Sequence, residues 1–470
     1  MRRRSKVASL LVVGALATGG IAAGCGDDDS GGGGGGGGEV GELKVGVLVP
    51  LTGDLSPFGG PGAKASDLAG AQVVAAAGDT GLDLTLITED TKTDPQAAQE
   101  AATKLIESDG VSAIAGPWGT PELIPTAENV TIPAGIPLVT PSATGPDLTD
   151  LDDDGLVFRT PPSDAIQGQL IAQIMAEELG ADATVNTANR NDAYGTALVA
   201  AFSEAWEAGG GTVARNVPYN PEAASLNSEA QQIASGNPDG WMIIDYTGTW
   251  AKMGPALVRT GNWDPARTFT GDGLRSPDLP GDAGAQTTNG MRGTVPTSLE
   301  APAGAQFDAL WKSEVQQPRQ SYDAQNFDAV MILALAAAAA GSADPASIAE
   351  NLQPVSAPPG TKYTFEQLSE ALDAAANGED IDFEGASSPI NFDDAGDPTA
   401  YNYGTWSYTG GERVDTDRVI EYSTDLATGS RGGGSGRPRA APPRYSSATW
   451  GSVSRASPEP SKRFWPPSRT

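Results

Sequence analysis

Histidine is absent from this chain, and cysteine occurs once, at Cys25. The first absence removes the commonest general base and the commonest metal ligand. It excludes Ser-His-Asp and Cys-His catalysis outright. A lone cysteine leaves the fold without an internal disulfide, so the core must hold by burial, which a chain of 470 residues can do. Basic side chains are also scarce, 29 Lys and Arg against 60 Asp and Glu. Four of the 29 fall in the first six residues and eight in the last 41, beside a single acid. Residues 26–429 therefore hold 17 basic against 59 acidic side chains. Such a body repels nucleic acid and anionic membrane.

What is present at the N-terminus reads as an export signal. Arg2, Arg3, Arg4 and Lys6 precede an apolar run at residues 7–21, then Ala22-Ala23-Gly24-Cys25. A basic start, an apolar stretch and small residues mark a cleaved signal, and the run is short for a membrane span. Small residues directly before a cysteine resemble a bacterial lipobox, which makes residues 1–24 the signal peptide and Cys25 the lipidated first residue. The alternative is an ordinary secretory signal with an incidental cysteine. The rest of a twin-arginine motif is missing after Arg2-Arg3-Arg4. Residues 25–41, an Asp-Asp-Asp-Ser stretch followed by eight glycines, form a tether after Cys25. Its r.m.s. reach is roughly 20–25 Å. Lipid anchor and tether are a consistent pair.

The most legible stretch is residues 111–149. Val111-Ser112-Ala113-Ile114-Ala115 is an apolar run broken at Gly116-Pro117-Trp118-Gly119-Thr120. A helix-like segment follows to about residue 130. Ile136-Pro137-Leu138-Val139 then breaks at Thr140-Pro141-Ser142-Ala143-Thr144. Short buried runs alternating with helices read as parallel β-α units, and ligands in open α/β sheets bind outside the carboxyl ends of the strands. The same pattern runs back to residue 43, with strands at 43–49 and 82–88. Helices are expected at 63–77 and from Asp94-Pro95, Asp94 as the cap and Pro95 in the first turn. A second set follows Phe158-Arg159-Thr160: a helix capped by Asp164, a polar strand at 183–189, a loop Asn191-Asp192-Ala193-Tyr194-Gly195 into a helix, and strands at 211–219 and 241–244. The expected class is α/β, two doubly wound parallel-sheet lobes. Helices at 322–340 and 364–377 and ribbons at 390–393, 401–406 and 418–422 complete the body.

Asp150-Leu151-Asp152-Asp153-Asp154-Gly155 has the front spacing of a calcium loop, but its twelfth position is Pro161, and it reads as an acidic turn. No phosphate loop of the Walker type occurs, so no enzyme, cofactor or metal is expected. The Arg/Pro/Ser-rich residues 426–470 have no periodicity and are expected to be a disordered basic tail. Their reversed charge also fits a reading-frame artefact, which peptides from Arg437 onward in the native protein would refute.

With these motifs in hand, the chain resembles the substrate-binding lipoproteins of the branched-chain amino-acid (Leu/Ile/Val) type that feed ABC importers. The motifs are Val45-Gly46-Val47-Leu48-Val49-Pro50-Leu51-Thr52-Gly53 with Phe58-Gly59, Glu89-Asp90 with Asp94-Pro95, Gly116 and its hydroxyl loop, Thr140 to Thr144, Phe158-Arg159-Thr160, Asn191 to Gly195, Gly271-Asp272-Gly273, and Ile390-Asn391-Phe392-Asp393 with Gly396-Asp397. Order and spacing agree over about residues 42–425. The resemblance implies a type I periplasmic-binding-protein fold, two Rossmann-like lobes joined by three crossovers. Residues 42–159 plus 297–392 would form the first lobe and 160–296 plus 393–425 the second. It implies a monomer that binds an amino acid between its lobes and hands it to a membrane permease. Thr120 and Thr144, with backbone amides near Ser142, Ala143 and Thr144, would hold the carboxylate without a cation. Asp272 would accept the ammonium, Tyr194 and Tyr246 would come from the second lobe, and Phe58 and Trp118 would wall the side-chain pocket. Trp118 is bulkier than the aliphatic residue usual there, and the family also binds amides and aromatic acids, so ligand identity stays open. So does a role as the ligand-sensing partner of a membrane receptor. Each of these side chains also has a structural reading, as a cap, turn or packing residue.

Overall fold

The computed structural model describes residues 40–423. The export signal, Cys25, the tether and the basic tail lie outside them. Strands β1 (Gly41–Val49), β2 (Leu82–Asp90), β3 (Ala113–Ala115), β4 (Leu138–Thr140) and β5 (Val157–Arg159) form one sheet in the order β2-β1-β3-β4-β5. Every pairing in it is parallel. Helices α1 (Ser56–Ala76), α2 (Pro95–Lys104), α3 (Thr120–Thr126) and the short α4 (Ile132–Ala134) make the crossovers. The chain then passes to a second half. There α5 (Asp164–Leu179), α6 (Ala193–Ala208), α7 (Asn227–Ile233), α8 (Thr247–Thr260) and the short α9 (Leu279–Ala283) alternate with β6 (Thr184–Arg190), β7 (Thr212–Tyr219), β8 (Gly240–Ile244), β9 (Thr268–Thr270) and β10 (Arg292–Pro296). The order β7-β6-β8-β9-β10 repeats that of the first sheet. The expected doubly wound α/β architecture is therefore present twice.

After β10 the chain returns to the first sheet with α10 (Gly304–Glu314), α11 (Asp323–Ala340), α12 (Pro345–Leu352), β11 (Thr361–Tyr363), α13 (Leu368–Ala376) and β12 (Ile381–Phe383). It crosses a third time through β13 (Ile390–Phe392) into a hairpin, β14 (Pro398–Thr409) and β15 (Glu412–Ser423), where β14 pairs antiparallel with β10. Helix α11 is apolar on every side because it is the axle of the first half, packed with Val45, Ala69, Ala113 and Leu372 in one cluster. The Asp328 carboxylate accepts from the Ala386 and Ser387 amides, and Asn326 Nδ2 donates to the Gly62 carbonyl and Ser66, while Asn326 Oδ1 has no partner. No single helix among the described residues is long and apolar enough to cross a membrane.

Two local expectations need correction. Helix α1 starts at Ser56, seven residues earlier than its pattern suggested, because Pro57 sits in the first turn where its missing N–H costs nothing. Helix α5 is capped by Ser163, whose hydroxyl accepts from the Ala165 amide at 3.3 Å. Asp164 is instead the first residue of that helix, and it is fully buried.

Candidate functional site

All nine residues expected to meet a ligand follow the carboxyl end of a strand. Phe58 comes after β1, Trp118 and Thr120 after β3, and Ser142, Ala143 and Thr144 after β4. Tyr194 comes after β6, Tyr246 after β8 and Asp272 after β9. In both sheets β1/β3 and β6/β8 mark the point where strand order reverses, which opens a crevice at that end.

The crevice is closed down to a narrow gap. Phe58, Trp118, Ser142, Tyr194, Tyr246 and Asp272 line it, joined by Leu55, Gly273 and Tyr322. About 310 Å³ lies between these atoms, yet only ≈ 10 Å³ admits the centre of a water-sized sphere. Tyr194 and Tyr246 stack at 5.1 Å with planes 16° apart. Trp118 meets Tyr322 edge to face at 6.3 Å. The indole fits because residue 62 is glycine: a Cβ there would lie 2.4 Å from Trp118 Cζ2.

Thr120, Ala143 and Thr144 stand just outside the gap, engaged in their own turns. The Thr120 hydroxyl accepts from the Gly145 amide at 3.0 Å. The Ala143 amide donates to Thr140 Oγ1 at 3.1 Å. The Thr144 carbonyl accepts from the Asp164 amide at 2.8 Å. These bonds fix the β3 and β4 loops against each other and aim Ser142 inward. Arg159 braces the same loop from below. Its Nη1 donates to the Thr144 and Gly145 carbonyls, its Nη2 to Thr149 and Asp397, and its Nε to Asp397.

Asp272 receives the Gln167 amide at 2.9 Å. Burial pushes its pKa up, while the nearby hydroxyls of Tyr322 and Tyr194 and the Gln167 amide favour its charged form. Neither tyrosine hydroxyl has a well-formed hydrogen bond, and neither does Trp118 Nε1. Burial also pushes the three lining tyrosines well up, so they remain protonated. No Lys or Arg lines the gap. The arrangement offers aromatic walls, orphaned donors and one acid, and among the described residues no His/Cys/Asp/Glu group could hold a metal. Asp153 of the calcium-like turn is occupied by the Gly155 and Val157 amides.

Beside the gap, the two halves are joined at Asp54, in the loop after β1. Its carboxylate accepts from Thr249 Oγ1 at 2.7 Å and Arg190 Nη1 at 3.2 Å. Its carbonyl accepts from Thr247 Oγ1 at 2.7 Å and the Gly248 amide at 3.1 Å. Arg190 in turn lies 3.7 Å over the Tyr246 ring.

Tyr322 and Leu55 escaped the sequence reading. Tyr322 adjoins a helix of the first half but is some 50 residues from Asp272 in sequence, and only the return of the chain through α11 brings the two together. A roomier hollow between α5 and the β14–β15 hairpin contains none of the expected residues.

The family pattern described as periplasmic binding protein matches residues 42–377. The leucine-, isoleucine-, valine-, threonine- and alanine-binding protein of Pseudomonas aeruginosa is 26% identical over 313 residues, 66% of this chain and 82% of its own. The chemotactic signal transduction system substrate-binding protein BasB of Halobacterium salinarum is 26% identical over 363 residues, 74% of this chain and 85% of its own. Among solved structures, the leucine-binding protein LivK of Thermotoga maritima aligns with a TM-score of 0.68 at 24% identity, covering 80% of this chain and 98% of that one. A solute-binding protein of R. palustris in complex with 4-hydroxybenzoate aligns at 0.64 and 17% identity, covering 82% and 99%.

Proposed function

This chain belongs to the periplasmic binding protein family, and from that membership we propose that it is an extracytoplasmic receptor that closes on an amino acid and presents it to an ABC permease. Relatives and structural neighbours are substrate-binding proteins rather than enzymes. The observation that carries the reading is the gap itself. Asp272, Ser142 and the orphaned polar atoms of Trp118, Tyr194 and Tyr322 converge there from both halves. Buried polar groups without partners are costly, and a solute that pairs with them is held by those bonds. In this reading Thr120, Thr144 and the amides around Ser142 and Ala143 receive the carboxylate once the halves part. Asp272 receives the ammonium, and Phe58 and Trp118 bound the side chain. Differential affinity for the closed state then drives closure.

The test is calorimetry with a panel of amino acids, amides and aromatic acids. Saturable binding of an amino acid without turnover is expected, and no heat from any member of the panel would reject the reading. The anchor belongs to the same proposal: Cys25 carries the lipid and residues 26–41 the tether. Labelled palmitate should enter the parent and not Cys25→Ser; equal incorporation would reject it. The likeness to BasB favours a second reading, presentation to a membrane sensor. Recovery of a chemoreceptor rather than a permease after cross-linking in the native membrane would select it.

A further inference from the structure

Arg190, at the end of β6, is almost fully buried, and its Nη1 faces carboxylates from both halves. Asp54 of the first half accepts from it at 3.2 Å. Asp245 of the second half, just after β8, holds its Oδ1 3.9 Å from the same nitrogen, too far for a hydrogen bond. That Oδ1 accepts from the Tyr246 amide at 2.8 Å, and Oδ2 of Asp245 has no partner. A fully buried carboxylate so placed is costly as an anion. Burial pushes the Asp245 pKa up to about 7; the Asp54 charge adds to the rise, while Arg190, Tyr219 and the Tyr246 amide oppose it. The other polar neighbours come from four elements. Asp192, ahead of α6, accepts from Arg190 Nε and travels with it. Tyr219 on β7 donates to the Ile244 carbonyl at 3.3 Å. The Tyr246 ring lies 3.7 Å under the guanidinium and lines the gap. From the first half, Glu122 also feels the Arg190 charge.

We propose that Arg190 is passed between two acids as the halves move: closed, Asp54 holds it and Asp245 carries a proton on Oδ2; opened, Arg190 settles on Asp245, which releases that proton to solvent. The inference rests on the reading of a receptor that opens and closes, and adds to it a control by pH. Withdrawal of Asp54 removes both a like charge and a rival for Nη1, and each change favours the Asp245 anion. The closed value therefore lies above the open one. The contribution to closure is complete at low pH and is lost as pH rises through about 7. Glu122 works against this, because opening takes Arg190 away from it. Its part is the smaller, since Arg190 ranks behind burial, Thr91 and the Gly119 amide in setting its pKa.

The experiment is small-angle scattering of the empty full chain at pH 5.5 and pH 8, at one ionic strength. In the parent the closed-to-open ratio should fall roughly tenfold or more between the two, seen as a larger radius of gyration at pH 8. Asp245→Asn fixes the neutral state and keeps an acceptor for the Tyr246 amide. Once circular dichroism has shown that it folds, it should hold the compact radius at both pH values. Asp54→Asn leaves Nη1 to Asp245 throughout and should hold the larger radius at both. Glu122→Gln should keep the parent's response. An equal radius at both pH values in the parent would overturn the proposal. So would a full response in Asp245→Asn or, should that variant not fold, in Asp54→Asn. Loss of the response in Glu122→Gln would overturn it by moving the proton elsewhere. No solute enters these measurements, so each failure leaves the receptor reading to the calorimetric panel.

Discussion

Asp54 and Arg190 meet at 3.2 Å across the two halves of the molecule, one in the loop after β1 and the other at the end of β6. The aspartate also gathers Thr247, Gly248 and Thr249, so one residue of the first half holds the start of α8 in the second. Hydrogen bonds to a charged group contribute about 1.5–3 kcal/mol each. Asp54→Ala should therefore lower the closed-to-open ratio of the empty protein by roughly ten- to a hundredfold. Small-angle scattering should show a larger radius of gyration without ligand, and affinity should fall. Gly248→Ala should act in the same direction, because its Cβ would lie 2.3 Å from Asp54 Oδ1. An unchanged radius in both variants would deny the junction any hold on closure.

Trp118 and Gly62 are a matched pair. Alanine in a helix interior normally gains about 1 kcal/mol over glycine. At position 62 the new methyl would strike the indole, and overpacking of that kind costs about 1–3 kcal/mol. Gly62→Ala should thus destabilise the parent. In a Trp118→Leu background the same substitution should be neutral or stabilising. Denaturant titration of the four proteins gives the coupling, and an additive cycle would refute the contact. Trp118→Leu alone should widen the gap and favour bulkier amino acids.

Glu122 is fully buried behind the β3 loop, and burial pushes its pKa to about 7 against the pull of Thr91, the Gly119 amide and Arg190. The folded value lies above the ordinary 4.5. Its stabilising contribution is therefore complete below about pH 4.5 and is lost as pH rises through 7. Glu122→Gln keeps an acceptor for the Gly119 amide and removes the titration. Between pH 4 and pH 8 the variant should gain roughly 2–4 kcal/mol relative to the parent. Asp245, at about 7, and Asp328, at about 6, shift in the same sense and leave a residual slope in both proteins. Parallel stability curves for parent and variant would show that Glu122 does not titrate there.

Asp272→Asn should weaken amino acids by at least tenfold and leave the melting temperature of the empty protein within a few degrees, since an amide can still accept from Gln167. Equal calorimetric affinity in the variant would remove Asp272 from the ammonium position.

Strands and their following loops were readable because each apolar run ends on a Gly, Pro, Ser or Thr cluster, and the expected site residues all fall in or soon after such clusters. Asp94-Pro95 marked α2 correctly, with the Asp94 carboxylate accepting from the Ala97 amide at 2.7 Å. The same signal stood at Asp344-Pro345 and opens α12, although the surrounding alanines hid it. Helix α10 had no such mark, since Ala303 before it offers no capping side chain. Tyr322 and the Asp54 junction depend on which distant segments return to the same crevice, and local periodicity carries no information about that. An acid at the start of a helix ordinarily caps it, which is what the pattern at Asp164 suggests; the serine one residue earlier does so here.

Arg159 binds, with one planar group, the loop at Thr144 and Gly145, the turn at Thr149 and the turn at Asp397 before the hairpin. A guanidinium committed on all sides has no slack, so the first and third passages between the halves form one rigid collar. Amide exchange at Arg159 and Asp164, whose N–H groups bond Gly396 and Thr144, should accordingly be among the slowest in the molecule. Any parting of the jaws must then swing around that collar rather than slide through it, leaving the travel to the rim where Asp54 meets Thr249.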